Sequence, residues 1–193
     1  MTKEEEKRTL RRTMEKMEAR LSPNYRARSD RAIARHLLAM PEYQAAEAVC
    51  CFAPTGREID TRPILEDALK AEKRLFLFQS VSSGGLTLRR VADPSQLAPA
   101  EQEGAETACP PELMDEIDFA ILPCLTCNYA GQRLGRGKAG YDRFLHLYRG
   151  GTVLLCREAL IRQEIPVEPH DMPVPWVLTE RGLYEDGVPA PLG

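Results

Sequence analysis

The residues best suited to chemistry lie between positions 131 and 142, where the sequence reads GQRLGRGKAGYD. Glycines allow backbone N–H groups to crowd around a ligand, and the cations Arg133, Arg136 and Lys138 add positive charge to such a cradle. Asp142 supplies a hard carboxylate oxygen, which is the ligand type that Mg²⁺ prefers. The segment therefore predicts a binding site for a polyphosphate and its metal ion.

Spacing excludes the two common nucleotide-binding loops that this segment superficially resembles. Residues 135–140 match the dinucleotide fingerprint G-x-G-x-x-G, but that fingerprint opens directly off a strand, and here the predicted strand ends at Pro123. A P-loop requires Ser or Thr after its lysine, and Ala139 stands at that position. A glycine-rich loop that is merely flexible, with no ligand, remains the alternative.

Other metal-binding and redox patterns are weaker. Cys124 and Cys127 form a C-x-x-C pair, but the spacing of the remaining sequence offers no obvious further zinc ligands. The pair also follows a predicted strand, whereas a redox pair is expected at a helix N-terminus. The three histidines do not cluster in sequence. Asp171, in a polar turn near the C-terminus, is a candidate second metal carboxylate.

Composition indicates one globular domain. The chain has 193 residues, of which 43% are hydrophobic and 28% are charged. No apolar run approaches the roughly 20 residues that span a bilayer, and the first residues lack the hydrophobic stretch of a secretion signal. The six cysteines do not form a disulfide framework, so we expect a cytoplasmic protein. Only 6% of residues are aromatic and the net charge is −3, which disfavours nucleic-acid binding.

The elements that must position these residues alternate between helices and strands. The patterns predict helices over 3–21, from Pro23 onward, after Thr61, over 144–148 and near 157–162, and strands at 48–53, 74–78, 86–88, 119–123, 152–156 and 174–178. Residues 82–85 are predicted to form a turn, and 92–113 a surface loop.

This order predicts an α/β fold: a single domain with a mostly parallel central sheet flanked by helices on both faces. We expect the domain to cover residues 1–193, with the N-terminal helices 3–40 packed on the α/β core. Ligands in such sheets bind beyond the carboxyl ends of strands, where residues 124–142 would emerge.

These residues resemble those of the 5-formyltetrahydrofolate cyclo-ligases (5,10-methenyltetrahydrofolate synthetases). The family pattern is close to P-x-x-A-F-D-x-x-G-x-R-L-G-x-G-[GK]-G-Y-Y-D, and residues 123–142 read PCLTCNYAGQRLGRGKAGYD. Residues 7–11 (KRTLR) resemble its K-x-x-x-R, residues 58–61 (EIDT) its E-I-x-T, and residues 165–171 (IPVEPHD) its closing I-P-x-x-x-x-D. The matches keep their order across most of the chain.

The resemblance implies an activity. Family members convert 5-formyltetrahydrofolate to 5,10-methenyltetrahydrofolate with ATP and Mg²⁺, releasing ADP and phosphate. The formyl oxygen attacks the γ-phosphorus, and N10 then closes the ring as phosphate departs. Phosphoryl transfer depends on positioning and charge neutralisation more than on an acid–base side chain, which suits a site built from glycines and cations.

The resemblance also implies roles for particular residues. The implied ATP contacts are Lys7, Arg11, Arg133, Leu134, Gly135, Arg136, Gly137, Lys138, Ala139, Gly140 and Tyr141. The implied folate contacts are Ala53, Glu58, Arg136 and Gly140, and the implied metal ligands are Asp142 and Asp171. Catalytic roles fall to Arg136, Lys138 and Tyr141. Beyond this small-molecule substrate we expect no nucleic-acid or membrane partner, and a monomer.

The chain departs from the family pattern in three places. Residues 139–142 read AGYD where the family has Gly-Tyr-Tyr-Asp, so one glycine is replaced and one tyrosine is lost. Residues 126–128 replace Ala-Phe-Asp. Residues 104–110 match the family's Gly-Ile-x-Glu-Pro segment poorly. A paralogue that binds ATP or folate as a regulatory or sequestering module is therefore an alternative. A third hypothesis is an RNA-binding protein that uses the basic N-terminal helix, since residues 1–35 hold eleven Lys or Arg against six acids.

Overall fold

The computed structural model describes residues 2–80, 85–97, 111–137 and 140–192. The helices are α1 (Lys3–Arg20), α2 (Pro23–Ala39), α3 (Pro41–Ala45), α4 (Arg62–Lys70), α5 (Pro111–Asp115) and α6 (Gly140–Leu147). The strands are β1 (Ala48–Phe52), β2 (Arg74–Ser80), β3 (Leu86–Val91), β4 (Phe119–Pro123), β5 (Thr126–Cys127), β6 (Arg133–Leu134), β7 (Gly151–Leu155), β8 (Trp176–Thr179), β9 (Gly182–Glu185) and β10 (Val188–Ala190). Short 3₁₀ turns lie at Pro94–Leu97 and Glu158–Leu160.

The two N-terminal helices begin at side-chain caps. Thr2 Oγ1 accepts a hydrogen bond from Glu5 N, and the Glu5 carboxylate accepts one from Thr2 N, which is a complete capping box. Ser22 Oγ accepts from Tyr25 N at 3.1 Å, and a proline follows directly. The predicted start of the second helix is confirmed, because Ser22 supplies the cap and the next residue has no N–H to satisfy.

Thr61 occupies the N-cap position of α4, but its hydroxyl has another role. Helix α4 does begin after Thr61, but the Thr61 side chain makes no capping hydrogen bond. Its hydroxyl donates to Phe52 O at 2.7 Å, and the residue is fully buried. Thr61 therefore ties the start of α4 to the carboxyl end of β1, where a buried hydroxyl needs a partner.

Within the described residues, the main sheet has the strand order β10-β9-β8-β7-β4-β1-β2-β3. The central neighbours β2–β1, β1–β4, β4–β7 and β7–β8 are parallel, and β3, β9 and β10 add antiparallel pairs at the two edges. Every residue of β1 and β4 is buried, as expected for parallel strands covered on both sides. The prediction of a mostly parallel sheet is confirmed.

The connections place helices on both faces of this sheet. The β1–α4–β2 crossover moves toward one edge, and the β4–α6–β7 crossover moves toward the other. Because such crossovers are right-handed, α4 and α6 lie on opposite faces. Helix α2 packs against α4 and β8, so it lies on the α4 face. The strand order reverses between β1 and β4, which is where open α/β sheets bind ligands.

The C-terminal part of the sheet extends further than predicted. The strand predicted at 174–178 is β8, but it is not terminal, because β9 and β10 follow it as an antiparallel extension. Leu183 is a buried apolar residue of β9, and β10 is largely exposed. Such short, polar edge strands carry too little hydrophobic alternation to be predicted from sequence.

Several local predictions also need correction. The helix predicted near 157–162 is a single 3₁₀ turn, and the helix predicted over 144–148 begins earlier, at Gly140. The turn at 82–85 lies largely outside the described residues, as does most of the loop at 92–113. None of the described helices combines the length and apolar character that crossing a bilayer requires.

Candidate active site

A cavity of about 540 Å³ lies at the reversal point of the sheet. Its walls include Phe52 and Ala53, which end and follow β1, and Pro123 and Cys124, which end and follow β4. This is the crevice that two crossovers running in opposite directions leave between neighbouring strands. The volume is within the range of small-molecule sites.

Most of the predicted site residues that the structure describes line this one cavity. They come from α1, the β1–α4 loop, β6 with the glycine loop, α6 and the segment before β8: Lys7, Arg11, Ala53, Glu58, Arg133, Leu134, Gly135, Arg136, Gly137, Tyr141, Asp142 and Asp171. Lys138 and Ala139 lie outside the described residues. The structure thus brings together residues more than 160 positions apart in sequence, for instance Lys7 and Glu168.

Gly140 is the described exception, because it does not line the cavity. A Cβ at Gly140 would lie 2.6 Å from Leu86 Cβ, so this glycine allows α6 to approach β3 closely. Gly140 thus has a packing role, and its contact with the nucleotide and the folate stays a prediction.

Two glycines give the loop its path. Gly137 has φ +96°, in the left-handed region that other residues rarely adopt. Gly131 has φ +77°, and a Cβ there would lie 1.7 Å from Val174 O. Helix α1 holds the loop from outside, because Arg11 Nε donates to Gly135 O at 3.1 Å. The loop is therefore shaped by its glycines and anchored by the N-terminal helix.

Lys7 is held between two carboxylates. Its Nζ lies 2.6 Å from Glu168 Oε2 and 2.6 Å from Asp171 Oδ2, and its side chain is only 6% exposed. Burial opposes ionisation of Lys7 and Asp171, but their mutual hydrogen bond and the contacts to Glu168 outweigh it. The pKa of Lys7 is therefore raised and the pKa of Asp171 is lowered. A charged ammonium thus stands at the cavity wall near neutral pH.

Arg133 and Asp142 form a second ion pair at the cavity. Arg133 Nη2 donates to Asp142 Oδ1 at 2.7 Å, and the Arg133 side chain is almost fully buried. Asp142 Oδ1 also lies 3.5 Å from Met172 N, directly after Asp171 in sequence. The two predicted metal carboxylates therefore border the same part of the cavity.

Among Lys7, Arg133 and Arg136, the side chain of Arg136 is the most exposed. Its Nη2 donates to both carboxylate oxygens of Glu18, at 2.8 and 2.9 Å, and Glu18 is buried in α1. Arg136 Nε lies 4.0 Å from Glu58 Oε1. Glu58 in turn accepts hydrogen bonds from Thr55 N and Thr55 Oγ1, each at 2.8 Å. Arg136 therefore connects the cation-rich end of the cavity with the end that holds Glu58.

Tyr141 is a packed residue as well as a cavity residue. Its ring makes an edge contact with Phe78 at 5.0 Å between centroids, and the Arg133 guanidinium lies 6.0 Å from its centroid. Burial, followed by the nearby Glu58 carboxylate, raises the pKa of Tyr141 well above its ordinary value. Tyr141 therefore stays protonated, as a hydrogen-bond donor and not a base.

The donor set suits Mg²⁺. Asp142 and Asp171 present hard carboxylate oxygens to one cavity, each with one oxygen engaged by a cation. Mg²⁺ is usually held by one or two carboxylates together with substrate phosphates, so a cage of three or more protein ligands is not required. Among the described residues, the group that reaches three possible ligands is a cysteine cluster instead.

Sequence reasoning missed the carboxylates that hold the cations. Glu18 lies 7 and 11 positions after Arg11 and Lys7, so the three share one face of α1, and this spacing is a signal that was available. Glu168 lies inside the matched segment 165–171 but outside its fixed positions. Both were missed because their partners are known only after folding.

Solved structures of similar proteins share this fold. The 5,10-methenyltetrahydrofolate synthetase of Aquifex aeolicus aligns with a TM-score of 0.76 and 25% identity, over 97% of this chain and 96% of that one. The 5,10-methenyltetrahydrofolate synthetase of Mycoplasma pneumoniae aligns with a TM-score of 0.70, over 90% of this chain and 98% of that one. At 17% identity, the latter supports the fold alone.

Sequence relatives carry the same family name. The 5-formyltetrahydrofolate cyclo-ligase of Escherichia coli is 27% identical over 177 residues, covering 86% of this chain and 95% of the relative. That of Mycolicibacterium smegmatis is 31% identical over 149 residues, covering 72% of this chain and 77% of the relative. The family model described as the 5-formyltetrahydrofolate cyclo-ligase family matches residues 3–180. The chain therefore belongs to the 5-formyltetrahydrofolate cyclo-ligase family.

Proposed function

We propose that this protein cyclises 5-formyltetrahydrofolate to 5,10-methenyltetrahydrofolate in an ATP- and Mg²⁺-dependent reaction that releases ADP and phosphate. Family membership supports the cyclo-ligase activity itself. The observation that carries the nucleotide dependence is the convergence of Lys7, Arg133 and Arg136 on one cavity, each cation held in place by a carboxylate.

The cation-rich end of the cavity is suited to the triphosphate. Arg11 and Lys7 are one helical turn apart on α1, and Arg133 and Arg136 face them from the hairpin and the glycine loop. Asp142 and Asp171 would hold Mg²⁺, which neutralises phosphate charge when it is bound. Carboxylate partners fix the cations before the ligand arrives, which reduces the reorganisation needed during phosphoryl transfer.

The part of the cavity around Glu58 is suited to the folate. Glu58 presents a carboxylate that can accept hydrogen bonds from pterin ring N–H groups, and Ala53 leaves room beside it. Phe52, Phe78 and Leu86 add apolar wall for a flat ring system. A polar group within a mostly apolar wall is typical of sites that orient a small ligand.

The proposed chemistry has two steps. The formyl oxygen attacks the γ-phosphorus of ATP and ADP leaves; N10 then attacks the activated formyl carbon, and the departing phosphate carries the oxygen away. Arg136 lies between the two ends of the cavity, where it would stabilise charge on the transferred phosphoryl group. Tyr141 would donate a hydrogen bond near the same phosphoryl group. Lys138 is assigned a catalytic role from the sequence motif alone.

One assay tests this proposal. Purified protein is incubated with 5-formyltetrahydrofolate, ATP and Mg²⁺, and the methenyl chromophore is followed together with ADP. We expect the two products in equal amounts, and neither when any one component is omitted. Glu58→Gln, which keeps the side-chain size, should raise the KM for the folate and leave the KM for ATP nearly unchanged.

The same assay separates the alternatives. A sequestering module would be thermally stabilised by ATP or by 5-formyltetrahydrofolate without forming the chromophore. Well-folded protein that forms no chromophore with all three components present would overturn the proposal. Binding of RNA that weakens steeply with salt, in place of ATP binding, would favour the third hypothesis.

A further inference from the structure

Three cysteine thiols meet at one wall of the cavity. Cys124 follows β4, Cys127 belongs to β5 and Cys156 directly follows β7. Their Sγ atoms all lie within 4.8 Å of one another, and all three cysteines are free. Cys127 and Cys156 are buried, whereas Cys124 is half-buried and lines the cavity. The C-x-x-C pair is therefore joined by a third thiol that its sequence spacing did not reveal.

The fold, and not a flexible loop, holds these thiols together. Strands β4 and β7 are parallel neighbours whose last residues are in register, so Cys124 and Cys156 follow equivalent positions. The β5–β6 hairpin folds back over them, and Arg162 N donates to Cys127 O at 2.9 Å. Side chains at the ends of strands in a sheet are held more precisely than side chains on loops, and a binding site requires such precision.

We propose that Cys124, Cys127 and Cys156 bind one thiophilic d¹⁰ cation, with Zn²⁺ as the probe. Zn–S bonds of about 2.3 Å with tetrahedral angles place ligand sulfurs about 3.8 Å apart, so modest side-chain rotations close the observed cluster around an ion. Three protein ligands leave a fourth position open. Cys124 lines the cavity, and a water molecule or an anionic ligand would complete the coordination from that side.

The charges around the cluster suit this ligand set. Three thiolates and one dication carry a net charge of −1, and the cations Arg133 and Arg136 act on Cys124 from nearby. Soft thiolate ligands distinguish this site from the hard carboxylates Asp142 and Asp171.

Binding would brace the phosphate-binding side of the cavity. Cys127 is in register with Arg133 across the β5–β6 hairpin. An ion held by Cys127 and by the two strand-end cysteines would therefore fasten this hairpin to β4 and β7. The duller interpretation, that the thiols are small apolar groups, fits Cys51, which is fully buried away from the cavity. It does not account for three thiol sulfurs within 4.8 Å of one another beside a cavity.

The test uses the full chain, reduced with a phosphine that does not bind metals and stripped by a chelator. Titration with Co²⁺ should produce thiolate-to-metal charge-transfer absorption that saturates at one equivalent per chain and disappears when Zn²⁺ is added. Cys124→Ala, Cys127→Ala and Cys156→Ala should each weaken Zn²⁺ binding at least as much as the roughly 10–100-fold loss typical of outer-shell changes. Cys51→Ala is the matched control and should bind normally.

Several outcomes would overturn the proposal. They are the absence of charge-transfer absorption in the wild-type chain, unchanged affinity in folded variants of the cluster, or a saturation below one equivalent with dimer formation, which would place the ion between chains. Circular dichroism reports whether each variant folds, and the wild-type spectrum decides the question if the variants do not. The readout is independent of turnover, so failure of the proposed function leaves this test intact.

Discussion

Two arginines bind carboxylates in different parts of the molecule. Arg157 binds Asp30 through Nε and Nη2, at 2.7 and 2.9 Å, and its side chain is 2% exposed. Arg136 binds Glu18 through Nη2 alone, and its side chain is 39% exposed. An arginine–carboxylate pair is thus enclosed in one place and half-open in the other.

The remaining donors explain the difference. Arg157 also donates to Arg57 O at 2.9 Å and to Glu58 O at 3.0 Å, so it fastens α2 to the loop that carries Glu58. Asp30 accepts a further bond from Asp60 N at 3.0 Å. Arg136 instead faces the cavity. A buried guanidinium that donates from all three nitrogens stabilises the fold, whereas one that donates from Nη2 alone beside a cavity is available to a ligand.

The largest expected effect is a loss of stability when Arg157 is removed from its enclosed pair with Asp30. Arg157→Met leaves the Asp30 carboxylate buried without its cation, and losing one partner of a buried pair typically costs about 3–5 kcal/mol of unfolding free energy. Urea denaturation measures this loss. Adding Asp30→Leu removes the stranded charge and should recover part of the stability. A loss below about 1 kcal/mol in the single variant would contradict an enclosed structural pair.

Removing the half-open Arg136–Glu18 pair should lower activity and leave stability nearly unchanged. The double variant Arg136→Met/Glu18→Gln removes both charges, so no carboxylate is left buried and uncompensated. We expect turnover to fall about 10²–10³-fold, as when one preorganised transition-state donor is lost. Unfolding free energy should change by less than about 1 kcal/mol. Steady-state kinetics and urea denaturation on the same samples separate the two effects, and Glu18→Gln alone should lose less activity.

This contrast also marks what sequence could predict. Strands β1 and β4 were predictable because each is a continuous apolar run, and the cations of the glycine loop were predictable because their types and spacing are local. Glu18 and Arg136 are 118 positions apart, and Arg157 and Asp30 are 127 apart. Pairings of that range depend on the tertiary fold, which local patterns do not encode.

The same reasoning applies to Cys156. Its position after a buried strand favours a packed thiol, and the register of β4 and β7 is what places it beside Cys124. Gly140 shows a second kind of information that a motif does not carry, because this glycine also allows a close approach of α6 to Leu86. A motif locates a site, and the tertiary fold shows which of its residues also serve packing.

A third prediction concerns the metal side of the cavity. Asp142→Asn preserves the oxygen that accepts from Arg133, so the fold should remain intact, but it removes the charge available to Mg²⁺. We expect lower turnover and a Mg²⁺ requirement raised roughly tenfold, measured by titrating Mg²⁺ at saturating ATP. Asp93→Asn, at an exposed position outside the cavity, is the control. Unchanged activity at every Mg²⁺ concentration would contradict the role of Asp142.

The smallest expected effect concerns Tyr25, which lies near the enclosed Arg157–Asp30 pair. Tyr25 is close enough to Arg157 to be affected by its charge. It donates a hydrogen bond to Glu180 and accepts one from Ala159 N at 3.2 Å. Burial, followed by the hydrogen bond to Glu180, raises the pKa of Tyr25 to about 12. The neutral phenol is therefore favoured in the folded chain.

The sign of the pH dependence follows from that shift. The unfolded chain begins to ionise Tyr25 near pH 10, so its stabilising contribution is complete below pH 10 and is lost as the pH rises toward 12. Tyr25→Phe should lower the unfolding free energy below pH 10 by less than about 1 kcal/mol, because the group is partly exposed and solvent screens it. Urea denaturation of both chains between pH 9 and pH 12 should give curves that converge as the pH rises. Parallel curves would mean that Tyr25 ionises equally in the folded and unfolded states. The phenol of Tyr25 would then not be enclosed as the Arg157–Asp30 pair is.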